Sequence, residues 1–325
     1  MINAMKIRNW KLEISLIGLL FVFLPLTAHA QFLGQIVKFS IDSSYDASQR
    51  EEIPAVLVKI STQTLIYVDD AWWGSQNPFA QQQAKLAFDA LATEFEEKIY
   101  SALTSNFGSE WKPGIDGDER LTVLFHPMKE GAGGYTNYGD EFPKVQNPSS
   151  NEREMVYLNA SFVAGGVNSL KTLLAHEFVH LITFYQKEKL RGVKEETWLN
   201  EARAEYASTL LGYDDMSEGS NLQKRMKVFI ASPSDPLIEW NNEKQDYGVA
   251  NMFSQYLADQ YGFQILRDSL QSKEVGAISL PAFPDIFRDW ILAVFLNDCA
   301  LGPRYCYKNP IKNFDFFITL SRSSG

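Results

Sequence analysis

Two of the four histidines in this 325-residue chain stand four residues apart. They belong to His176-Glu177-Phe178-Val179-His180, an H-E-x-x-H inside the run Leu170–Tyr185. Apolar residues recur there at Leu170, Leu173, Leu174, Phe178, Leu181, Ile182 and Tyr185, the period of a helix. On a helix, residues i and i+4 lie one above the other on the same face. The spacing therefore predicts that His176 and His180 point the same way, close enough to share one metal ion. Glu177 sits beside them, within reach of a water on that ion. This is the geometry of a zinc hydrolase. The competing reading is a pair of helix histidines satisfied by ordinary hydrogen bonds. Composition disfavours it, because two of the three histidines after residue 30 fall at ligand spacing.

A catalytic zinc takes a third protein ligand and keeps one position open. A glycine and a third histidine closely following the motif would supply one scheme, but Thr183 and Gln186 occupy those positions. The other scheme brings a carboxylate from a neighbouring helix. Glu201, 21 residues after His180, leaves room for a loop and a return, and is the first choice. Glu188, Glu195 and Glu196 are the other acids nearby, and in a Lys-rich loop they read as solvated. Glu205, one turn beyond Glu201, either accepts the second ring N–H of a ligating histidine or faces solvent. The implied chemistry is attack by a water whose pKa zinc lowers to roughly 7, with Glu177 moving the proton to the leaving amine. A tyrosine, Tyr247 first, is the candidate donor to the oxyanion, against the plainer reading of a core or surface tyrosine.

Further elements must hold these groups in place. Gln31–Glu52 is polar and weakly patterned, and is expected as a poorly ordered lead-in in which a propeptide is an open question. Ala55–Ile60 and Thr64–Val68 read as a hairpin or two adjacent strands, Leu121–Phe125 and Glu154–Asn159 as two more strands. Phe79–Ser105 reads as a helix with Phe88, Leu91, Phe95, Ile99 and Ala102 on its buried stripe. Trp72-Trp73 is expected to cover the sheet. Ile115-Asp116-Gly117-Asp118 lacks the spaced acids of a calcium loop and reads as a turn. His126 reads as a structural or rim histidine. Gly131-Ala132-Gly133-Gly134-Tyr135 is either backbone close to a ligand or a flexible turn. Gly165-Gly166 breaks the chain before the motif helix, which Asn168 or Ser169 can cap; Thr197 can cap a second helix running to about Leu211. Asn221–Ile230, Tyr247–Tyr261 and Ile286–Leu296 read as further helices. Strands before residue 160 and helices after it give an α+β class.

The totals narrow the setting. With 45% apolar residues, the chain can bury a large core. Lys6, Arg8 and Lys11, the apolar run Ile14–Leu26 and Ala28-His29-Ala30 are expected as a signal peptide over 1–30, cleaved after Ala30. The alternative, a membrane anchor, is disfavoured by the short run. The remainder carries 27 Lys and Arg against 39 Asp and Glu, which disfavours nucleic acid and anionic membranes as main partners. In an exported chain Cys299 and Cys306 are expected to form a local disulfide, two free thiols being the alternative.

HEFVH, WLNEARAEYAS, YGVANMFSQYLADQYG and FPDIFRDWILAVFLND together resemble the gluzincin metallopeptidases, most of all the hyicolysin-type and peptidase MA-like bacterial secreted proteins. The similarity spans roughly residues 115–298. It implies a zincin-like catalytic domain over 53–325, with a small mixed sheet lobe to about 185, a helical lobe over 186–325 and the metal between them. It implies an edge strand that holds extended substrate. It also implies His176, His180 and Glu201 as ligands of Zn2+ and Glu177 as the catalytic residue; Tyr247 has no motif to carry over. The expected function is a secreted or periplasmic zinc-dependent endopeptidase acting on protein or peptide, with no membrane span after cleavage. An inactive binding protein on the same scaffold and an aminopeptidase are the alternatives.

Overall fold

The computed structural model describes residues 31–214, 217–308 and 311; the expected signal peptide, 1–30, lies outside them. The sheet is built from β1 (Ile36–Ser40), β2 (Glu52–Ile60), β3 (Thr64–Asp69), β4 (Leu121–His126), β5 (Gly134–Tyr135) and β6 (Met155–Asn159), in the order β1-β2-β3-β4-β6-β5. The first three strands are antiparallel, β3-β4 and β4-β6 are parallel, and β5 returns antiparallel to β6. The central strands are β-branched and aromatic and buried on both faces, as strands covered on two sides must be. Alternation assigns the faces. Ile66, Val68, Val123, Phe125, Val156 and Leu158 pack with the helices, whereas Leu65, Tyr67, Leu124 and Tyr157 pack with Phe39, Ile53 and Leu57 on the other side.

The segment 31–52 is not a loose lead-in. Ile36–Ser40 pairs with β2 as the far edge strand, and Phe39 is fully buried. The loop behind it is tied down by Asp46, which is buried. Its carboxylate takes Arg50 Nη2 at 2.7 Å and faces His126 Nδ1 at 3.2 Å, while Arg50 Nη1 reaches Asp69 at 2.6 Å. His126 is thus structural: it lies wholly inside, and burial lowers its pKa. His126 and Asp69 are remote from Asp46 in sequence, so a polar segment hid a well-anchored one.

The helices are α1 (Asp70–Ser75), α2 (Pro78–Glu94), α3 (Tyr100–Phe107), α4 (Val167–Thr183), α5 (Thr197–Leu210), α6 (Asn221–Ala231), α7 (Lys244–Tyr261), α8 (Gln264–Leu270) and α9 (Phe283–Leu296). Asn77 caps α2 by accepting from Ala80 N, and Pro78 opens it. A π turn over Phe95–Ile99 joins α2 to α3, and the core positions after it pass to Leu103 and Phe107, not to the expected Ala102. The expected caps also differ. Gly166, at φ +67°, precedes α4 with no side-chain cap, and Thr197 is the first residue of α5, not its cap. One apolar core runs from the sheet through α4 and α7 to Trp290 of α9. Cys299 and Cys306 are joined by a disulfide. No helix among the described residues is long and apolar enough to cross a membrane.

Glu141 and Glu154 form a buried carboxyl pair beneath the Pro113-Gly114 turn. Glu154 Oε1 accepts from Ile115 N at 2.8 Å, and a Cβ on Gly114 would overlap that carboxylate. Burial first, then mutual proximity, raises Glu141 to about 10; burial first raises Glu154 to about 7. Acids with raised folded pKa values keep protons that the unfolded chain releases. Their contribution is therefore intact below the ordinary glutamate value of 4.5 and is lost as pH climbs through about 7. Glu141→Gln should raise stability at about pH 8 by on the order of 2 kcal/mol and leave it unchanged below about pH 4, by urea unfolding.

Candidate metal centre

The motif helix α4 continues past Thr183 in a π turn, Phe184–Lys189, before the chain turns back into α5. The return is fixed from inside. Lys187 is 0% exposed and donates through Nζ to the carbonyls of Ser269, Ser272 and Glu274. Glu195 accepts from Arg203 Nη1 at 2.8 Å and from Gly276 N at 2.7 Å. Glu195 is buried, contrary to its reading as solvated from the composition of this loop. Glu195 is committed to Arg203, and Glu196 to the Trp198 indole at 2.6 Å.

This return lays Glu201 against the motif. Glu201 Oε2 is 3.2 Å from His176 Nε2, and Oε1 is 3.6 Å from His180 Nε2. By hydrogen-bond geometry Glu201 Oε2 has no partner. One atom from each of the three residues lies within 4.8 Å of the other two. Two imidazole nitrogens and one carboxylate turned toward a common point fit a zinc set of two histidines and one glutamate, with a position left open.

The surrounding charge fits a cation as well. Burial alone would lower the pKa of His176, but Glu201, Glu177 and Glu205 outweigh it and push it up to about 9. Burial works to raise Glu201, and His180 and His176 hold it below the ordinary range. Glu177 moves the other way, raised by burial that the two histidines only partly offset. Thr136 Oγ1 donates to Glu177 Oε2 at 3.0 Å and holds the carboxylate beside the ligand set.

Glu205 does not face solvent. It is 1% exposed, with Oε1 3.6 Å from His176 Nδ1. Arg225 clamps it at 2.8 and 2.7 Å, and the amides of Asn251 and Asn221 add 3.0 and 3.2 Å contacts. Glu205→Gln should weaken zinc binding about 10- to 100-fold with the far-UV circular dichroism unchanged, read by competition with a chromophoric chelator.

The glycine-rich run 131–135 turns at Gly131 and ends as the strand β5, Gly134–Tyr135. A Cβ on Gly134 would lie 2.7 Å from Tyr157 O and 3.0 Å from Glu177 Oε1, so β5 passes directly beside Glu177. Cavities of about 520 Å³ and about 260 Å³ flank the ligands, and Tyr45, Gly134, His176, Glu177 and Tyr247 line both. Tyr247 therefore reaches the site, although its O–H donates to Asn242 Oδ1 at 3.1 Å. Tyr45, Thr136, Arg225 and Asn251 escaped the sequence reading. Each comes from an element remote in sequence and carries no motif, and Tyr45 stood in the segment expected to be loose.

No family model matches the chain, and no curated protein matches it.

Proposed function

We propose that the chain is a zinc-dependent endopeptidase of the gluzincin kind, with a zincin-like arrangement of sheet, motif helix and ligand-bearing helix. The observation that carries this is the convergence of His176, His180 and Glu201 with Glu177 alongside. Zinc, when bound, supplies Lewis acidity that polarises a carbonyl oxygen and lowers the pKa of water to roughly 7. The chain does the rest. Glu177, held by Thr136, takes a proton from the attacking water and returns it to the leaving amine. Glu205 orients His176 under the grip of Arg225. The polypeptide substrate lies along β5, the end strand of the sheet, and adds to it as a further strand.

Cleft on both sides of the ligands supports internal cleavage. An aminopeptidase holds the substrate amine with a free acid; Glu195 and Glu205 are spent on Arg203 and Arg225, while Glu130 lines the larger cavity, so a blocked peptide separates the two activities. The setting is a secreted or periplasmic one, in keeping with the pattern of 1–30 and with the disulfide. A peptide acetylated at its start and amidated at its end tests the reading. Internal fragments in the mass spectrum are expected. Removal of single residues from unblocked peptides, with blocked ones intact, would overturn it in favour of an exopeptidase.

A further inference from the structure

The smaller of the two cavities beside the ligand set offers nothing to an aliphatic side chain. No alanine, valine, leucine, isoleucine or methionine lines it, whereas Ala132 and Leu173 line the larger one. Charge separates the two further. Of the acids in the smaller cavity, Glu201 belongs to the ligand set and Glu177 stands beside it, and together they offset the two positive charges of a bound zinc. The third, Glu195, is spent on Arg203 at 2.8 Å. That leaves Lys194, which enters no ion pair among the described residues. Burial raises the pKa of Glu188, and Lys194 draws it back without pairing with it. The larger cavity has no such bias, since Lys129 and Lys244 stand there with Glu130 and Glu243.

The backbone that carries Lys194 is held on both sides. Val193 N donates to Lys187 O at 3.1 Å, and Glu195 is anchored inside by Arg203 and Gly276 N. Lys194 itself is exposed, so a mobile ammonium works from a fixed root. Two further features of the wall favour an anion. Thr197 is the first residue of α5, which has no side-chain cap, so the positive end of that helix lies at the cavity. Asn200 Nδ2 donates to the Tyr138 oxygen at 2.9 Å, which leaves the hydroxyl proton of Tyr138 uncommitted among the described residues. Burial raises the pKa of Tyr138 and keeps that proton in place. An ammonium, a helix start and a hydroxyl are what a carboxylate accepts from.

We propose that the smaller cavity is a subsite for an acidic side chain and that Lys194 sets its preference. The substrates are then polypeptides with Asp or Glu at one of the two positions flanking the cleaved bond, the same one in every substrate. The assignment rests on the zinc-peptidase reading and names a substrate class for it.

The test uses a peptide blocked at both ends and remade with Glu, Gln or Lys at each flanking position in turn. The zinc-loaded full chain is compared as wild type, Lys194→Gln and Lys194→Glu, with kcat/KM as the first readout. The second is calorimetric affinity for the uncut peptides, measured on zinc-loaded Glu177→Gln with and without Lys194→Glu. At one position wild type should favour Glu over Gln about fivefold at low salt. It should favour Glu over Lys about 20-fold, because attraction turns into repulsion of similar size. Both ratios should shrink at about 0.5 M salt. Lys194→Gln should bring Glu and Gln within about twofold, and Lys194→Glu should place Lys ahead of Glu. A merely structural lysine would not reverse the order. The affinities of the uncut peptides should follow the same order. Equal rates for all three residues at both positions, or a Glu preference untouched by Lys194→Glu, would overturn the subsite alone. A zinc-loaded wild type that leaves every peptide whole, with the uncut peptides bound alike, would overturn the peptidase reading and the subsite with it.

Discussion

Glu177→Gln should leave zinc binding intact and lower peptide turnover by about 10³-fold or more, at the upper end of what a positioned acid–base group contributes. The substitution keeps the shape of the side chain and its contact with Thr136. It removes only the ability to take up a proton. Glu177 is not among the three residues whose atoms converge, so the ligand set survives. Its pKa is raised by burial, which makes its carboxylate a stronger base than an exposed glutamate. Zinc analysis beside casein turnover checks both halves of the statement. A variant that loses its zinc would mean that Glu177 serves the ion and not the proton.

The second large effect separates two carboxylates only six residues apart. Glu201→Gln should cost zinc affinity more than the 10- to 100-fold that an outlying residue costs, because a direct ligand is exchanged for a neutral amide. Stability should hardly change, since Glu201 Oε2 has no hydrogen-bond partner to lose. Glu195→Gln should do the reverse. Glu195 is buried between Arg203 and Lys187, and neutralising it strands two buried cations. Breaking such a pair costs about 3–5 kcal/mol. Equilibrium dialysis against zinc and thermal unfolding of both variants tell the two roles apart. Equal zinc loss in both would remove Glu201 from its place as third ligand.

What was legible in the sequence was local. Spacing on one helix put His176, Glu177 and His180 on one side of α4, and the apolar rhythm around them needed no partner to be read. Glu201 was legible because a loop and a return leave few acids within reach. The central strands showed themselves as short β-branched runs. What stayed hidden depends on contacts across the chain. Asp46 and His126 meet over 80 positions, and that pairing turns a polar segment into one wall of the site. Glu195 looked solvated because a charge run says nothing of the arginine waiting for it. Glu205 finds Arg225 and Asn251 on two other helices. The π turn after α2 shifts the buried stripe by one residue, an irregularity that periodicity cannot register. Tyr45 combines these failures: Tyr135 and Lys129, which hold it, are both remote in sequence.

The proposed chemistry depends on one ion held by three side chains. Diffraction from crystals of the zinc-soaked protein, with anomalous data on both sides of the zinc absorption edge, tests it most directly. The expected result is a single strong peak at about 2.0–2.2 Å from His176 Nε2, His180 Nε2 and a Glu201 carboxylate oxygen. No peak between those three residues, or one bound elsewhere with the triad left empty, would contradict the account at its root.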